Sequence, residues 1–348
     1  MGATRGSAWG SFLWHTLPQA ECRLGARMKR RVLMGLLGAS VASRAFAQRI
    51  FHLATLTPTL PMDPKAPPAR FLLATLAKHG YRLGENLTYE SVGARGETGK
   101  LPELVAALKS RGVDVVVTTG YPTTMAAQQA GLPTVVAQGA GDPVATKMVT
   151  SLAHPGGNVT GISDIATTLS IKRLSLLKEL LPGIKKVAML WNRDDLGMSL
   201  RYKASADAAQ GMGISVQALG VREPDDFEGV FEAMKREPPD AVLMVSDALT
   251  MLNRKRVIDY AAAARLPAIY EFELLVREGG LMSYGGDTKE CFERAGDLVD
   301  RLFKGDKPAD LPFEEPTRYP LLINLKTATA IGLTIPPALL ARADEVIE

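Results

Sequence analysis

The sequence predicts an α/β protein with two doubly wound lobes, each a parallel β-sheet covered by helices on both faces. First, buried strands are continuous apolar runs, such as Val115–Thr118, and lack the alternation of a strand that faces water on one side. Second, strands and helices alternate along the chain. Third, this pattern restarts after Gly161, so two units of similar size follow one another.

The first unit contains four predicted strands and the helices between them. Gly80 and Gly112 follow two of the helices, as expected where a helix ends. The strands are predicted over Ile50–Leu56, Leu87–Val92, Val115–Thr118 and Thr134–Gln138. The helices are predicted over Ala69–His79, Thr98–Arg111 and Thr123–Ala130, and a further helix is expected to begin at Val144.

The second unit repeats the alternation with five predicted strands. Pro182-Gly183 closes its first helix, and Ser246-Asp247 and Glu271 follow two of its strands. The strands are predicted over Lys186–Trp191, Ile214–Leu219, Ala241–Val245, Pro267–Tyr270 and Leu281–Tyr284. The helices are predicted over Leu169–Leu181, Ser199–Gly211, Asp225–Lys235 and Asn253–Ala264.

The last segment of the chain has too few elements for a third domain. It reads as a helix, a strand and two shorter helices, predicted over Lys289–Lys304, Tyr319–Asn324, Leu325–Ile331 and Pro336–Ala343. These elements must pack back on the two units, so we expect several chain crossings and a hinged clamp with a cleft between two lobes. The predicted N-terminal lobe is residues 48–161 plus 285–316, and the C-terminal lobe is residues 162–284 plus 317–348.

Residues 1–47 are predicted to be a leader outside the fold. Lys29–Arg31 form a positive segment, and Val32–Val41 form an apolar segment too short to span a bilayer as a helix. Ala45–Ala47 then fit the small-x-small pattern, so cleavage is expected before Gln48, with translation starting at Met28. The expected location is the periplasm; the alternative is a retained, uncleaved anchor.

Composition narrows the class of protein. The 348 residues carry a net charge of only +4, without the concentrated basic face of a nucleic-acid binder, so no nucleic-acid partner is expected. Cys22 precedes the predicted start, which leaves Cys291 as one thiol and predicts no internal disulfide. The basic run Arg254–Arg256 is interpreted as a solvated helix face.

Sequence motifs for catalysis, nucleotides and metals are absent. The chain contains no G-x-S-x-G elbow and no G-x-x-x-x-G-K-[ST] loop, and no G-x-G-x-x-G follows its first strand. The histidines, His15, His52, His79 and His154, do not stand at metal-ligand spacing with one another or with Cys or carboxylates. We therefore expect neither a cofactor nor a metal, and no enzymatic activity.

Candidate ligand-binding residues lie just beyond the predicted strands. Ligands of open α/β sheets bind outside the carboxyl ends of the strands, so polar and aromatic residues there are the candidates. The predicted ligand-binding residues are Thr57, Thr119, Gly120, Tyr121, Asp142, Asn192, Asp247, Tyr270, Glu271 and Tyr284.

These candidates carry different expected roles. The turn Thr119–Tyr121 opens a helix, whose free N–H groups could receive a ligand carboxylate. Asp247 could hold a ligand ammonium or cap the next helix, and Asp142 has the same two interpretations. Tyr121 and Tyr270 offer flat amphipathic surfaces for a small organic ligand.

Six segments of this sequence resemble a known family. They are Gly141–Thr146, Ser151–Gly161, Leu266–Tyr270, Gly279–Gly285, Ile323–Ala328 and Ala341–Ile347. Together they are similar to the ABC transporter substrate-binding protein family, which includes tryptophan- and tyrosine-type binding proteins. The resemblance spans residues 50–348. It implies a type I periplasmic-binding-protein fold, with two Rossmann-like lobes, a ligand in the cleft, delivery to a membrane permease and no catalysis.

The resulting hypothesis is the periplasmic solute-binding component of an ABC importer. Its ligand is expected to be a small organic molecule, such as an amino acid or an aromatic carboxylate, bound by hinge closure. The expected partner is an ABC permease in the inner membrane, and the protein is expected to be a monomer. Two alternatives stay open: a ligand-sensing receptor for a membrane signalling partner, and a secreted α/β enzyme that uses a carboxylate such as Asp142 or Asp247.

Overall fold

The computed structural model describes residues 49–163 and 166–348. The predicted leader and its cleavage site before Gln48 lie outside the described residues. Within the described part of the chain, every helix is too short or too polar to cross a membrane.

The first sheet has five strands, all parallel, in the order β2-β1-β3-β4-β5. These strands are β1 (Phe51–Thr57), β2 (Leu87–Gly93), β3 (Val115–Thr119), β4 (Thr134–Gln138) and β5 (Val159–Gly161). The central strands are buried on both faces because helices cover them. Leu53 faces one apolar cluster, and its neighbour Ala54 faces another on the opposite side.

Four helices accompany this sheet, and we call the sheet with them the N-terminal lobe. They are α1 (Pro67–Lys78), α2 (Leu101–Ser110), α3 (Tyr121–Gln129) and, from much later in the chain, α10 (Thr288–Phe303). Helix α10 packs along α1 and over β4. The two helices approach closely because Gly296 has no side chain. A Cβ atom built there would lie 2.9 Å from the Cβ of Thr75.

The second sheet has seven strands, in the order β12-β11-β10-β9-β8-β6-β7. Only the β10–β11 pair among them is antiparallel. The strands are β6 (Lys186–Asn192), β7 (Ser215–Val221), β8 (Ala241–Met244), β9 (Ala268–Tyr270), β10 (Met282–Tyr284), β11 (Leu321–Asn324) and β12 (Glu345–Ile347).

The remaining helices cover both faces of the second sheet and complete what we call the C-terminal lobe. They are α4 (Ala166–Leu180), α5 (Leu196–Gly211), α6 (Asp226–Arg236), α7 (Ala248–Leu252), α8 (Arg254–Ala263), α9 (Glu273–Arg277), α11 (Leu325–Ile331) and α12 (Pro337–Leu340). One face buries Leu243 and Ile269, and the other buries Met244 and Tyr270. The chain passes between the lobes after β5, after β10 and after α10.

The structure confirms the predicted fold class of two mostly parallel α/β lobes. One predicted element is wrong. The helix expected from Val144 is a series of tight turns, and Lys147 there has a φ of 58°, which a right-handed helix does not allow. The helix predicted over Asn253–Ala264 begins one residue later and is preceded by a separate short helix, α7.

Candidate functional site

Each lobe has one point where the strand order reverses, and this point defines where a ligand can bind. In the N-terminal lobe β1 lies between β2 and β3, so consecutive connections leave to opposite sides at the β1/β3 pair. In the C-terminal lobe β6 lies between β7 and β8 in the same way. Open α/β sheets bind ligands beyond the carboxyl ends of the strands at such a switch point. The candidate site therefore starts from the residues that follow β1, β3, β6 and β8.

Glycines with positive φ dominate this edge of the N-terminal lobe. Gly96, Gly120, Gly139 and Gly141 follow β2, β3 and β4, and their φ values are 84°, 83°, 79° and 78°. Residues with a Cβ rarely adopt this conformation, so glycine is required for these turns. The backbone is also crowded at the switch point, since a Cβ atom at Gly120 would lie 3.1 Å from the Cγ of Pro58. The turns of this edge therefore depend on glycine.

Hydroxyl groups next to these glycines hold the turns in place. Thr57 is buried, and its Oγ1 donates to the carbonyl of Leu60 at 2.7 Å. The carbonyl of Thr119 accepts from Thr123 Oγ1 at 2.5 Å, and the carbonyl of Gly120 accepts from Thr124 Oγ1 at 2.8 Å. The predicted residues Thr57, Thr119 and Gly120 therefore all lie at the N-terminal switch point.

Tyr121 begins helix α3, with Gly120 as the N-cap residue. The first N–H groups of a helix have no partner within the helix and carry partial positive charge, so this turn favours an anion. Tyr121 is half-buried, and burial, then the nearby charge of Asp195, raises the pKa of its phenol. Asp195 belongs to the C-terminal lobe, so the tyrosine stands where the lobes meet.

Asp142 caps a turn of the loop that follows β4. Its Oδ1 accepts the backbone N–H groups of Val144 and Ala145, both at 2.9 Å. The capping interpretation of this residue is present in the structure, although it caps a turn and not the expected helix. Its contact with a ligand stays a prediction.

Asn192 and Asp247 bridge the switch point of the C-terminal lobe. Asn192 Nδ2 donates to Asp247 Oδ2 at 2.6 Å, which joins the ends of β6 and β8. Asp247 Oδ1 accepts the N–H of Thr250 at 2.9 Å, and the Thr250 hydroxyl accepts the N–H of Asp247, a capping box for α7. Burial raises the pKa of Asp247, and these hydrogen bonds oppose the rise.

Asp195 adds a second carboxylate to this edge. It is the N-cap of α5, its Oδ1 accepts the N–H of Met198 at 3.2 Å, and its exposed fraction is 8%. Burial, followed by the negative charge of Asp247, raises its pKa to about 6. Two carboxylates this close together form an environment that favours a cation.

Glu271 lies between two buried arginines. Its Oε1 accepts from Arg173 at 3.1 Å and its Oε2 accepts from Arg201 at 2.8 Å, with all three side chains 3% exposed or less. Arg173 also donates to the carbonyl of Tyr284 at 2.7 Å, next to the crossing into α10. A small crevice adjoins Glu271 and is also lined by Gln138 and Gly285. The structure thus gives Glu271 an ion-pairing role at the lobe crossing.

Two of the predicted tyrosines lie away from the switch points. Tyr270 is fully buried, contrary to the expectation that it lines the cleft, because alternate residues of β9 face opposite helix layers and Tyr270 points into the apolar layer. Its ring packs on Gly280, where a Cβ atom would lie 2.6 Å from Cε2, and its hydroxyl lacks a hydrogen-bond partner among the described residues. Tyr284 is half-buried at the crossing, with its ring 6.4 Å from that of Tyr319.

The two edges face each other and touch. A Cβ atom built at Gly197, in the first turn of α5, would lie 3.6 Å from the Cβ of Tyr121 and 3.7 Å from the carbonyl oxygen of Ala140. The same point is 3.3 Å from Asp195 Oδ1. The carboxylates of one lobe therefore stand close to the helix-opening turn of the other, and the cleft between them combines an edge that favours anions with one that favours cations.

Comparison with known proteins identifies the class. The model of the ABC transporter substrate binding protein family matches residues 70–347, and the chain belongs to this family. The family is one of substrate-binding proteins rather than enzymes.

Particular relatives agree with this assignment. A tyrosine-binding protein from Clostridioides difficile is 25% identical to this chain over 264 residues, which is 75% of each protein. The crystal structure of a conserved domain protein from Vibrio cholerae matches with a TM-score of 0.79 at 25% identity, covering 86% of this chain and 100% of that one. An ABC domain from Streptococcus pneumoniae in complex with L-Trp shares the fold, with a TM-score of 0.77 at 24% identity over 86% of this chain and 100% of that chain.

Sequence reasoning missed three residues of this region, namely Arg173, Asp195 and Arg201. Asp195 had a partial signal, since it ends the polar run that follows the predicted strand Lys186–Trp191. The helix was predicted to begin only at Ser199, so Asp195 was not recognised as its N-cap. The arginines had none, because a charged residue inside a predicted helix is normally assigned to the surface.

Proposed function

We propose that this protein is the periplasmic receptor of an ABC importer and that it binds a small α-amino acid in the cleft between its lobes. The observation that carries the proposal is the difference between the two facing edges. One edge offers a helix N-terminus and backbone groups, and the other offers the carboxylates of Asp195 and Asp247. A molecule with one carboxylate and one ammonium group matches both edges at once.

The relatives favour an aromatic amino acid as the cargo. One is named for tyrosine, and a solved structure of the same fold contains L-Trp. In our proposal the turn Thr119–Tyr121 receives the carboxylate, Asp247 receives the ammonium group with Asp142 as a second candidate, and the Tyr121 ring lines the side. Asn192 orients Asp247 through its 2.6 Å hydrogen bond.

The wider functional setting is proposed with the same argument. The family assignment supports delivery to an inner-membrane permease, and the sequence pattern of residues 28–47 supports export with cleavage before Gln48. The packing of α10 on α1 and the pairing of β11 with β10 support lobe boundaries at residues 48–161 plus 285–316 and residues 162–284 plus 317–348.

The test is calorimetric titration of residues 48–348 with L-tryptophan and L-tyrosine, for the wild type and for Asp247→Asn. Asparagine keeps the helix cap but removes the charge. Affinity should fall by roughly 1.5–3 kcal/mol, the scale of a hydrogen bond to a charged group. Indole-3-propionate lacks the ammonium group. It should bind the wild type weakly, and its affinity for Asp247→Asn should be the same.

Asp240→Asn is the matched control. Asp240 precedes β8 at its other end and likewise accepts backbone N–H groups, from Lys185 and Lys186. The Asp240→Asn variant should bind L-tryptophan and L-tyrosine with the affinity of the wild type. Equal affinity in Asp247→Asn and wild type would remove Asp247 from the site, and the absence of binding by any amino acid would refute the proposed cargo. Mass spectrometry should recover the ligand unchanged, whereas a consumed ligand would point to an enzyme.

A further inference from the structure

A leucine of the C-terminal lobe packs directly on a glycine of the N-terminal lobe. Leu252 is the last residue of α7, and Gly96 lies in the loop after β2. A Cβ atom built at Gly96 would lie only 2.9 Å from Leu252 Cδ1, so the leucine side chain fills the space that any other residue would need. Leu252 keeps an exposed fraction of 38%, so the contact lies at the rim of the cleft.

The surface that receives Leu252 is stiff. Backbone N–H groups of Ala94, Arg95 and Gly96 donate to the carbonyls of Thr57, Thr59 and Pro58, at 2.9, 2.8 and 2.9 Å. These three bonds tie the loop after β2 to the loop after β1. A contact with such a surface depends on the separation of the lobes, since the loop cannot follow Leu252 when the lobes move apart.

The contact of Leu252 with Gly96 lies where rotation of the lobes moves atoms the farthest. Strand β2 is one edge of the first sheet, and β5, which precedes a crossing to the other lobe, is the opposite edge. A small rotation at the crossings therefore produces its largest displacement near β2. The contact of Gly197 with Tyr121 and Ala140 lies nearer the middle of the sheet, after β3 and β4.

We propose that Leu252 is a latch that favours the closed arrangement of the lobes by itself, through its contact with the loop Ala94–Gly96. Both sides of the contact are protein atoms, so the latch acts before cargo arrives and after cargo leaves. This proposal rests on the proposed function for one consequence, slower cargo release, but its first test needs no cargo.

The first test measures the separation of the lobes with spin labels. Labels are attached to Lys100→Cys and Lys255→Cys of residues 48–348, whose side chains are 58% and 83% exposed on the two lobes. Cys22 is then absent, and Cys291 is buried. Wild type without ligand should show a population at the separation of this structure. Leu252→Ala should lower the closed-to-open ratio about threefold to tenfold, as expected when part of a leucine contact is lost.

Leu274→Ala is the control for this measurement. Leu274 is a similarly exposed leucine, at 43%, on another short helix of the same lobe. Its variant should keep the wild-type distance distribution. A wild type without the closed population, or a Leu252→Ala variant with an unchanged ratio and an unchanged melting temperature, overturns the latch.

A second pair of variants separates the latch from a structural role of Leu252. Gly96→Ala should open the lobes in the wild-type background, because the new Cβ meets Leu252, and should have a smaller effect on the lobe distance in Leu252→Ala. Additive effects would overturn the contact. With L-tryptophan as the probe, Leu252→Ala should release ligand about threefold to tenfold faster, and its association rate should not fall, because the ligand-free variant is open more of the time. If no ligand binds, the proposed cargo fails while the distance measurement still decides the latch.

Discussion

The two edges of the cleft differ in the groups that form them. The N-terminal edge consists of turns at Gly96, Gly120, Gly139 and Gly141, each with a φ near 80°. The C-terminal edge consists of charged side chains, held by helix caps at Asp195 and Asp247 and by arginines around Glu271 in the same lobe. One edge is shaped by backbone conformation, and the other is shaped by buried charge.

This difference determines how each edge responds to substitution. Buried charges depend on partners that lie far away in sequence, so removing one leaves others without compensation. Positive-φ glycines depend mainly on local backbone strain, whose cost is smaller and independent of pH. Three variants measure this contrast.

The largest effect is expected at Glu271. Glu271→Ala leaves Arg173 and Arg201 without the carboxylate between them, so the free energy of unfolding should fall by about 3–5 kcal/mol in urea denaturation. The control is Glu345→Ala, which breaks the half-exposed pair with Arg277 and should cost less than about 1 kcal/mol. Similar losses in both variants would show that burial does not distinguish the C-terminal edge.

An intermediate, pH-dependent effect is expected at Asp195. Its pKa is about 6 in the folded protein and near 3.8 in the unfolded chain, so between these values the folded state binds more protons. The stability that Asp195 contributes therefore falls as pH rises from 4 to 6, by up to about 3 kcal/mol. Asp195→Asn keeps a capping residue and lacks this pH-dependent loss. Its free energy of unfolding should therefore rise relative to that of the wild type between pH 4 and pH 7.

The measurement for Asp195 is the denaturation midpoint at several pH values. The neighbouring Asp194→Asn is the control, since its side chain is 61% exposed and it should follow the wild-type profile. A constant difference between Asp195→Asn and wild type across this pH range would contradict a raised pKa.

The smallest effect is expected at the glycine edge. Gly120→Ala places a Cβ at a φ of 83° and 3.1 Å from Pro58, and should cost about 1–2 kcal/mol at every pH. The measurement is thermal unfolding at several pH values. Gly183→Ala, where nothing lies within 4 Å and φ is not positive, should cost nothing in this experiment. A pH-dependent loss in Gly120→Ala would mean that this edge also depends on charge.

The sequence predicted the fold well because the signals involved are local. Continuous β-branched runs located the central strands, and helix α11 was predicted with the bounds Leu325–Ile331 that the structure has. The ends of strands β3, β6 and β8 were also located, so Thr119, Asn192 and Asp247 were predicted to lie beyond carboxyl ends of strands, and the strand order then places them at the switch points. Residues that follow a strand can be found without knowing what they contact.

The remaining features depend on information that a local pattern does not contain. In a strand covered on both faces every residue is apolar, so the face on which Tyr270 lies could not be inferred. Glu271 meets arginines that are 98 and 70 residues away, and no spacing rule connects them. The helix expected at Val144 failed because Asp142 was recognised as a cap, whereas the turn at Lys147 carries no sequence signature.

The four positive-φ glycines also bear on how this scaffold could acquire a new cargo. A face formed by backbone has few side chains to exchange, and replacing its glycines strains the turns before it alters the ligand. The residues around Asn192, Asp195 and Asp247 are free of this restriction, since no positive φ is recorded there. We therefore expect divergence in cargo among proteins with this architecture to be concentrated in the C-terminal lobe, while the N-terminal edge stays constant in sequence.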